Sequence, residues 1–175
     1  MIISRHEEAR LECIQAIISG GADVNLRNKK GTNAAFYPVD NYRLDILEEL
    51  VKSKINLDVC NSRSHTPLIL AIKKRDVILV EKVIKLGAST NFNDDFGRNS
   101  LHWAINFSDA GSNSSFELEE LLISYGAEIN TADKFGRTPL HYPFIKTNDF
   151  VINSQIDPIE SINSLLLREN LLVDK

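Results

Sequence analysis

One local pattern recurs along the chain: Gly21-Ala22-Asp23-Val24-Asn25, Gly87-Ala88-Ser89-Thr90-Asn91 and Gly126-Ala127-Glu128-Ile129-Asn130. A weaker copy, Lys54-Ile55-Asn56-Leu57-Asp58, ends 33 residues after Asn25 and 33 before Asn91, which defines a 33-residue period. A period of this length means stacked supersecondary units, because one such unit cannot bury its apolar face alone and is stabilised by its neighbours. The chain is therefore expected to build a row of like units rather than wrap around one central core.

A second signature lies inside each period. It reads Gly97-Arg98-Asn99-Ser100-Leu101-His102 and Gly136-Arg137-Thr138-Pro139-Leu140-His141, with Thr66-Pro67-Leu68 in the same register. Together the two signatures resemble the ankyrin repeat. The resemblance implies an all-α solenoid of stacked helix-turn-helix units with β-turn or hairpin connections. It also implies that threonine caps the first helix, proline sits in its first turn, leucine enters the core and histidine hydrogen-bonds near the next repeat. The units run 1–25, 26–58, 59–91, 92–130 and 131–174, within a single domain over 1–175. The first is partial: Arg10, Leu11 and Cys13-Ile14 to Ile17-Ile18 form a helical stripe ended by Gly20-Gly21, with no room before it for a whole partner helix. The chain thus reads as a piece of a longer protein that starts within a repeat, or else as one that starts with a half-repeat cap.

Departures from the pattern carry local expectations. Unit 26–58 keeps the turn Asn28-Lys29-Lys30-Gly31 but has Asn33-Ala34-Ala35-Phe36 in place of the Thr-Pro-Leu-His segment. Pro38 falls in the column of Ala71 and Ala104, removing an intrahelical bond, so a short or bent first helix is expected there. Ser64 occupies the column of Gly31, Gly97 and Gly136. If that turn needs positive φ, serine costs about 1 kcal/mol. Unit 92–130 has six extra residues within 107–115, and the last unit has eleven within 145–158. The ending, Leu165 to Asp174, reads as a worn Gly-Ala signature with Asn170 standing in for glycine.

The composition, 43% apolar and 25% charged, is that of a globular chain. No run approaches the roughly 18 consecutive apolar residues of a membrane span, and Met1-Ile2-Ile3-Ser4 is too short for a secretory signal. The expectation is an intracellular protein, cytoplasmic first with a nuclear setting left open, without membrane insertion. Cys13 and Cys60, the two cysteines, cannot build a disulfide framework or a cysteine-rich zinc site and read as free and reduced. His6, His65, His102 and His141 come from four units and show no two-ligand spacing on one helix face. No nucleophile, acid partner or phosphate-binding glycine loop converges on them. The reading is a non-enzyme with no cofactor and no metal.

Ankyrin-like stacks hold protein partners on a concave face made from the hairpin tips and the outer ends of the first helices, an implication of the resemblance. Projected onto this chain, the tips are Lys29, Lys30 and Thr32; Ser62, Arg63 and His65; Asp95, Phe96 and Arg98; Lys134, Phe135 and Arg137. The first-helix ends add Asp40, Asn41, Lys73, Lys74, Asn106, Phe107 and Lys146. This set sums to +7 in a chain of net −4, leaving −11 for the remainder. Acidic clusters Glu7-Glu8, Asp45 with Glu48-Glu49, and Glu117 with Glu119-Glu120 fall on second helices.

The expected function is a monomeric scaffold or adaptor that binds a protein partner, one with an acidic segment, through a basic concave face. Its candidate contacts are Lys29, Lys30, Arg63, His65, Lys73, Lys74, Phe96, Arg98, Asn106, Phe107, Lys134, Phe135 and Arg137. Phe96 and Phe135 either anchor the partner or pack onto the adjacent turn. The column Tyr37, Leu70, Trp103, Tyr142 reads as inter-repeat core. Two alternatives stay open: a nucleic-acid surface that tracks phosphates, disfavoured by the overall acidity, and an architectural spacer whose contacts come from the insertions near 107–115 and 145–158. Asn130, with Leu122 eight residues before it and Glu128 two before, matches the asparagine that is hydroxylated in ankyrin repeats, and a plain turn role explains it equally well.

Overall fold

The computed structural model describes residues 5–107 and 115–144. Its elements are α1 (Arg5–Ser19), α2 (Phe36–Asp40), α3 (Leu44–Lys52), α4 (Pro67–Lys73), α5 (Val77–Lys85), α6 (Ser100–Asn106), α7 (Ser115–Ser124) and a 3₁₀ helix (Pro139–Phe144), with no strand among the described residues. The pairs α2–α3, α4–α5 and α6–α7 are the helix-turn-helix units. First helices α2, α4, α6 and the 3₁₀ helix pack side by side in one row, while α1 packs on α3 and α5 on α7 in the second-helix row. The arrangement is an all-α ankyrin-type solenoid. The segments 108–114 and 145–175, which hold nearly all of both insertions, Lys146 and the worn closing signature, lie outside the described residues.

Local chemistry starts the first helices. Thr66 is extended and its Oγ1 accepts from the Ile69 N–H at 3.1 Å, with Pro67 in the first turn where a missing N–H does no harm. Asn99 caps α6 in the same way, and His102 completes a reciprocal capping box: Asn99 N–H donates to its Nδ1 at 3.2 Å. The other ring nitrogen lies 3.1 Å from the Arg137 carbonyl of the next unit, so Nε2–H donates across the repeat boundary. That is the histidine role the resemblance implies. Helix α2 lacks a side-chain cap, contains Pro38 and runs for five residues, short as expected. In the last unit the first helix is a 3₁₀ turn with Pro143 inside, since a proline there cannot donate to an α-helical ladder.

The core repeats with the period. Leu47 and Val80 are fully buried, as are Val83 and Leu122. The column of Leu47 and Val80 continues as Glu119 on α7, whose two carboxylate oxygens are shut off from solvent with no hydrogen-bond partner among the described residues. Burial pushes that carboxyl above the usual range.

Units are tied together by the asparagine that ends the Gly-Ala signature. Asn25 Oδ1 accepts from Asn56 N–H at 2.7 Å, and its Nδ2 donates to the Lys54 carbonyl at 3.2 Å. Asn91 repeats the clamp on the next loop, accepting from Glu128 N–H (2.7 Å) and donating to the Gly126 carbonyl (2.8 Å). Asp58 stands in the same column and accepts from Ser89 N–H at 3.0 Å, but a carboxylate cannot donate to the Gly87 carbonyl that occupies the matching position. Asp58→Asn restores the second bond and is expected to raise the unfolding free energy by about 1 kcal/mol, read as a higher urea midpoint at unchanged m.

Candidate partner-binding face

Four tips along the stack share one construction. Asn28, Asn61, Asp94 and Asp133 each accept, through Oδ1, the backbone N–H groups of the residues two and four positions on, at 2.8–3.2 Å. The fourth residue of each turn has positive φ: Gly31 75°, Ser64 59°, Gly97 79° and Gly136 75°. Ser64 is therefore held in the left-handed region, at a cost of about 1 kcal/mol, while its Oγ donates to Asp95 Oδ2 at 3.2 Å. Neighbouring tips are joined by Ser62 N–H to the Lys30 carbonyl and Lys134 N–H to the Phe96 carbonyl, both 2.9 Å. Arg27 clips two tips together through the Gly31 and Cys60 carbonyls.

The sequence puts Arg98, Arg137 and His65 on the open tips, and here the structure differs. Arg98 is only 6% exposed. Its Nε and Nη2 both reach Asp94 Oδ2 at 2.7 Å, and the guanidinium lies over the rings of Phe96 (4.7 Å) and Trp103 (4.1 Å). Trp103 Nε1–H donates to the same Asp94 oxygen at 3.1 Å. Arg137 repeats the motif half-buried, paired with Asp133 and lying over Phe135 and Tyr142, whose hydroxyl donates to Asp133 at 2.9 Å. Burial alone would raise the Asp133 carboxyl, but hydrogen bonds from Arg137 and Tyr142 hold it below the usual carboxylate range. A buried charge requires a partner, so each arginine is neutralised within its own tip and adds nothing to the surface field. Phe96 and Phe135 accordingly pack on their own tips, although Phe96 keeps 40% of its surface exposed.

His65 is buried edge-on against Trp103, ring centroids 4.9 Å apart. Burial, with the nearby charges of Lys73, Arg98 and Arg63, lowers its pKa to about 4, so the ring is neutral at pH 7. In the aromatic column Trp103 and Tyr142 are core and Leu70 is half-buried, as expected, but Tyr37 is 60% exposed.

What remains open to solvent is mainly lysine. Lys29, Lys30, Arg63, Lys73 and Lys134 are exposed. Lys74 is half-buried, paired with Asp40 at 3.0 Å and lying 4.9 Å from the Tyr42 ring. Asn106 and Phe107 are half-buried, Phe107 stacking on Trp103 at 5.3 Å with Lys73 Nζ 6.0 Å from its ring. With Arg98 and Arg137 neutralised and Lys146 undescribed, these six basic groups against Asp40 and Asp95 leave +4 on the described part of the face. The acidic clusters do sit on α3 and α7, whereas α5 carries Lys82 and Lys85 beside Glu81 and breaks the pattern. Asn130 is exposed at its loop and Leu122 is buried. Among the described residues no cluster of His, Cys, Asp and Glu could hold a metal, and no helix is long and apolar enough to cross a membrane.

Residues 1–94 match the family described as Ankyrin repeats (3 copies), and the chain belongs to the ankyrin-repeat family. That family is one of non-enzymatic protein-interaction modules. Among similar proteins, neurogenic locus notch homolog protein 1 of Xenopus laevis is 29% identical over 107 residues, 59% of this chain and 4% of the relative. Neurogenic locus notch homolog protein 2 of Homo sapiens is 28% identical over 97 residues, 55% of this chain and 4% of the relative. An ankyrin repeat protein of Acanthamoeba polyphaga mimivirus is 29% identical over 90 residues, 51% of this chain and 12% of the relative. The chain thus spans only a small part of the length of these relatives.

His65 makes the stability of the stack depend on pH. Its folded pKa, about 4, lies below the unfolded value of 6.5, so its stabilisation is complete above pH 6.5 and is lost as pH falls toward 4. Burial lowers the pKa of His102 as well, in the same sense. Between pH 7.5 and 4.5 the unfolding free energy is expected to drop by about 2 kcal/mol on account of His65, and urea titrations of His65→Asn should show a correspondingly smaller drop.

Proposed function

We propose that the chain is a non-enzymatic interaction module that binds an acidic segment of a protein partner across the tips and first-helix ends. The observation that carries this reading is the set of exposed basic side chains Lys29 and Lys30, Arg63 and Lys73, and Lys134, which come from units 26–58, 59–91 and 131–174, unit 92–130 adding none because Arg98 is buried. The one acid exposed among the tips, Asp95, is engaged by Ser64. A partner carboxylate reaching this face meets flexible cations on a rigid backbone, an arrangement that steers encounter and selects against basic partners. Burial of Trp103 and Tyr142 takes two of the three rings of the aromatic column away from solvent, which favours a protein ligand over nucleic acid. We read the setting as intracellular, a reducing compartment suiting the free thiols of Cys13 and Cys60.

The test is reversal of Lys30, Arg63 and Lys73 to Glu together. All three are exposed and hold no side-chain hydrogen bond or ion pair among the described residues, so the fold should survive, whereas reversing Arg98 would break a buried pair. Displayed peptide libraries selected on the unmodified chain should enrich acidic sequences. Their affinity should fall at least tenfold for the triple variant and lose most of its salt dependence. Equal affinity of the folded variant for the selected peptides would remove this face as the binding site.

A further inference from the structure

One position of the repeat runs along the tips as a single column: Lys30, Arg63, Phe96 and Phe135. Each stands two residues after the turn-opening Asn28, Asn61, Asp94 or Asp133, and its backbone N–H donates to that side chain, so all four are held in the same geometry. The column changes chemistry halfway. Lys30 and Arg63 are exposed cations whose side chains make no hydrogen bond or ion pair among the described residues. Phe96 is 40% exposed and Phe135 half-buried, each with the arginine of its own tip over the ring, 4.7 Å and 4.6 Å from the centroid.

The joints between tips divide the column at the same place. Ser62 N–H donates to the Lys30 carbonyl and Lys134 N–H to the Phe96 carbonyl, which ties the first two tips into one ribbon and the last two into another. The second and third tips are joined through side chains, Ser64 Oγ donating to Asp95 Oδ2. A carboxylate brought over Phe96 would meet exposed Asp95 beside the ring and, behind it, an arginine already paired with Asp94. An apolar side chain there covers ring surface that is open to water, which is favourable. The neighbouring column, Lys29, Ser62, Asp95 and Lys134, mixes both signs and sets no order.

We propose that the acidic segment bound by this face is bipartite, with two carboxylates set on Lys30 and Arg63 and two apolar side chains set on Phe96 and Phe135. This rests on the acidic-partner reading above and adds the order of the partner's residues. Packed helices lie about 8–10 Å apart and an extended chain advances about 3.3 Å per residue, so one unit of the stack matches about three residues of the partner. Four contacts then span an extended segment of about ten residues, with a contact at every third position and its acidic and apolar halves kept apart. The apolar half anchors the segment, and the acidic half steers it and fixes its register.

The probes are labelled ten-residue peptides, serine except at four positions spaced by three, titrated into the full 175-residue chain. One carries two glutamates and then two leucines, a second has the same residues in reverse chain order, and a third alternates glutamate with leucine. One of the first two is expected to bind at least tenfold tighter than the alternating peptide. In double-mutant cycles Arg63→Gln should couple at least threefold to loss of the inner glutamate, and Phe96→Ala to loss of the inner leucine, with no coupling crosswise. The peptide comparison needs no variant, so it decides the order even where Phe96→Ala lowers the urea midpoint. Equal affinity for all three peptides, or crosswise coupling as large as direct coupling, would overturn the order. So would failure of all three to bind while acidic peptides selected from libraries do bind. In each case the acidic-partner reading stands if the joint reversal of Lys30, Arg63 and Lys73 still weakens the selected peptides. Selected peptides indifferent to that reversal would overturn both.

Discussion

Two atoms of one amide set the spacing at two joints of the stack. The side chain of Asn25, and again that of Asn91, presents an acceptor and a donor at fixed separation to a backbone N–H and carbonyl two residues apart in the next loop. Only one register satisfies both, so the amide converts a generic tendency of apolar helices to pile together into a defined repeat. Every feature further out inherits that register. With the loops aligned, the tips come side by side, their backbones exchange hydrogen bonds, and side chains 33 residues apart in sequence become neighbours in space.

The tips then sort charge by a simple rule. Where the turn opens with an amide, as at Asn28 and Asn61, the residue four further on is Thr32 or neutral His65. Where it opens with a carboxylate, as at Asp94 and Asp133, that residue is an arginine whose planar guanidinium pairs with the acid and lies against aromatic rings. Arg98 and Arg137 thus serve the interior of their tips, and lysine, a compact and strongly hydrated charge, is left with Arg63 to face solvent. The face an approaching protein meets is consequently smaller in charge than a residue count implies, and more mobile.

Much of this was legible in the chain itself. The period, the proline in the first turn, the short helix at Pro38 and the positive φ at Ser64 follow from local rules acting in columns, whereas the threonine cap and the histidine reaching the next unit came with the ankyrin resemblance. The burial of Arg98 was not legible from its position in a solvated turn. The signal was present as the spacing Asp94 to Arg98 repeated in Asp133 to Arg137, but its meaning depends on Trp103 and Tyr142 closing over the pair, and that is a tertiary fact. His65 was misplaced for the same reason, since its shelter is the Trp103 ring of the following unit.

Three local compromises fall close together. Lys54 and Ser64 adopt left-handed backbone where the other units use glycine, and Asp58 between them makes one clamp bond where Asn25 and Asn91 make two. In a linear array, stability is a sum of unit and joint contributions, with no long-range contact to share a local deficit. The joint between the units 26–58 and 59–91 is therefore the seam at which cooperativity breaks first. Under tension, or in mild denaturant, α1 to α3 would detach as one block while α4 to α7 hold, giving the chain an intrinsic perforation line that a uniform stack of the same length would lack.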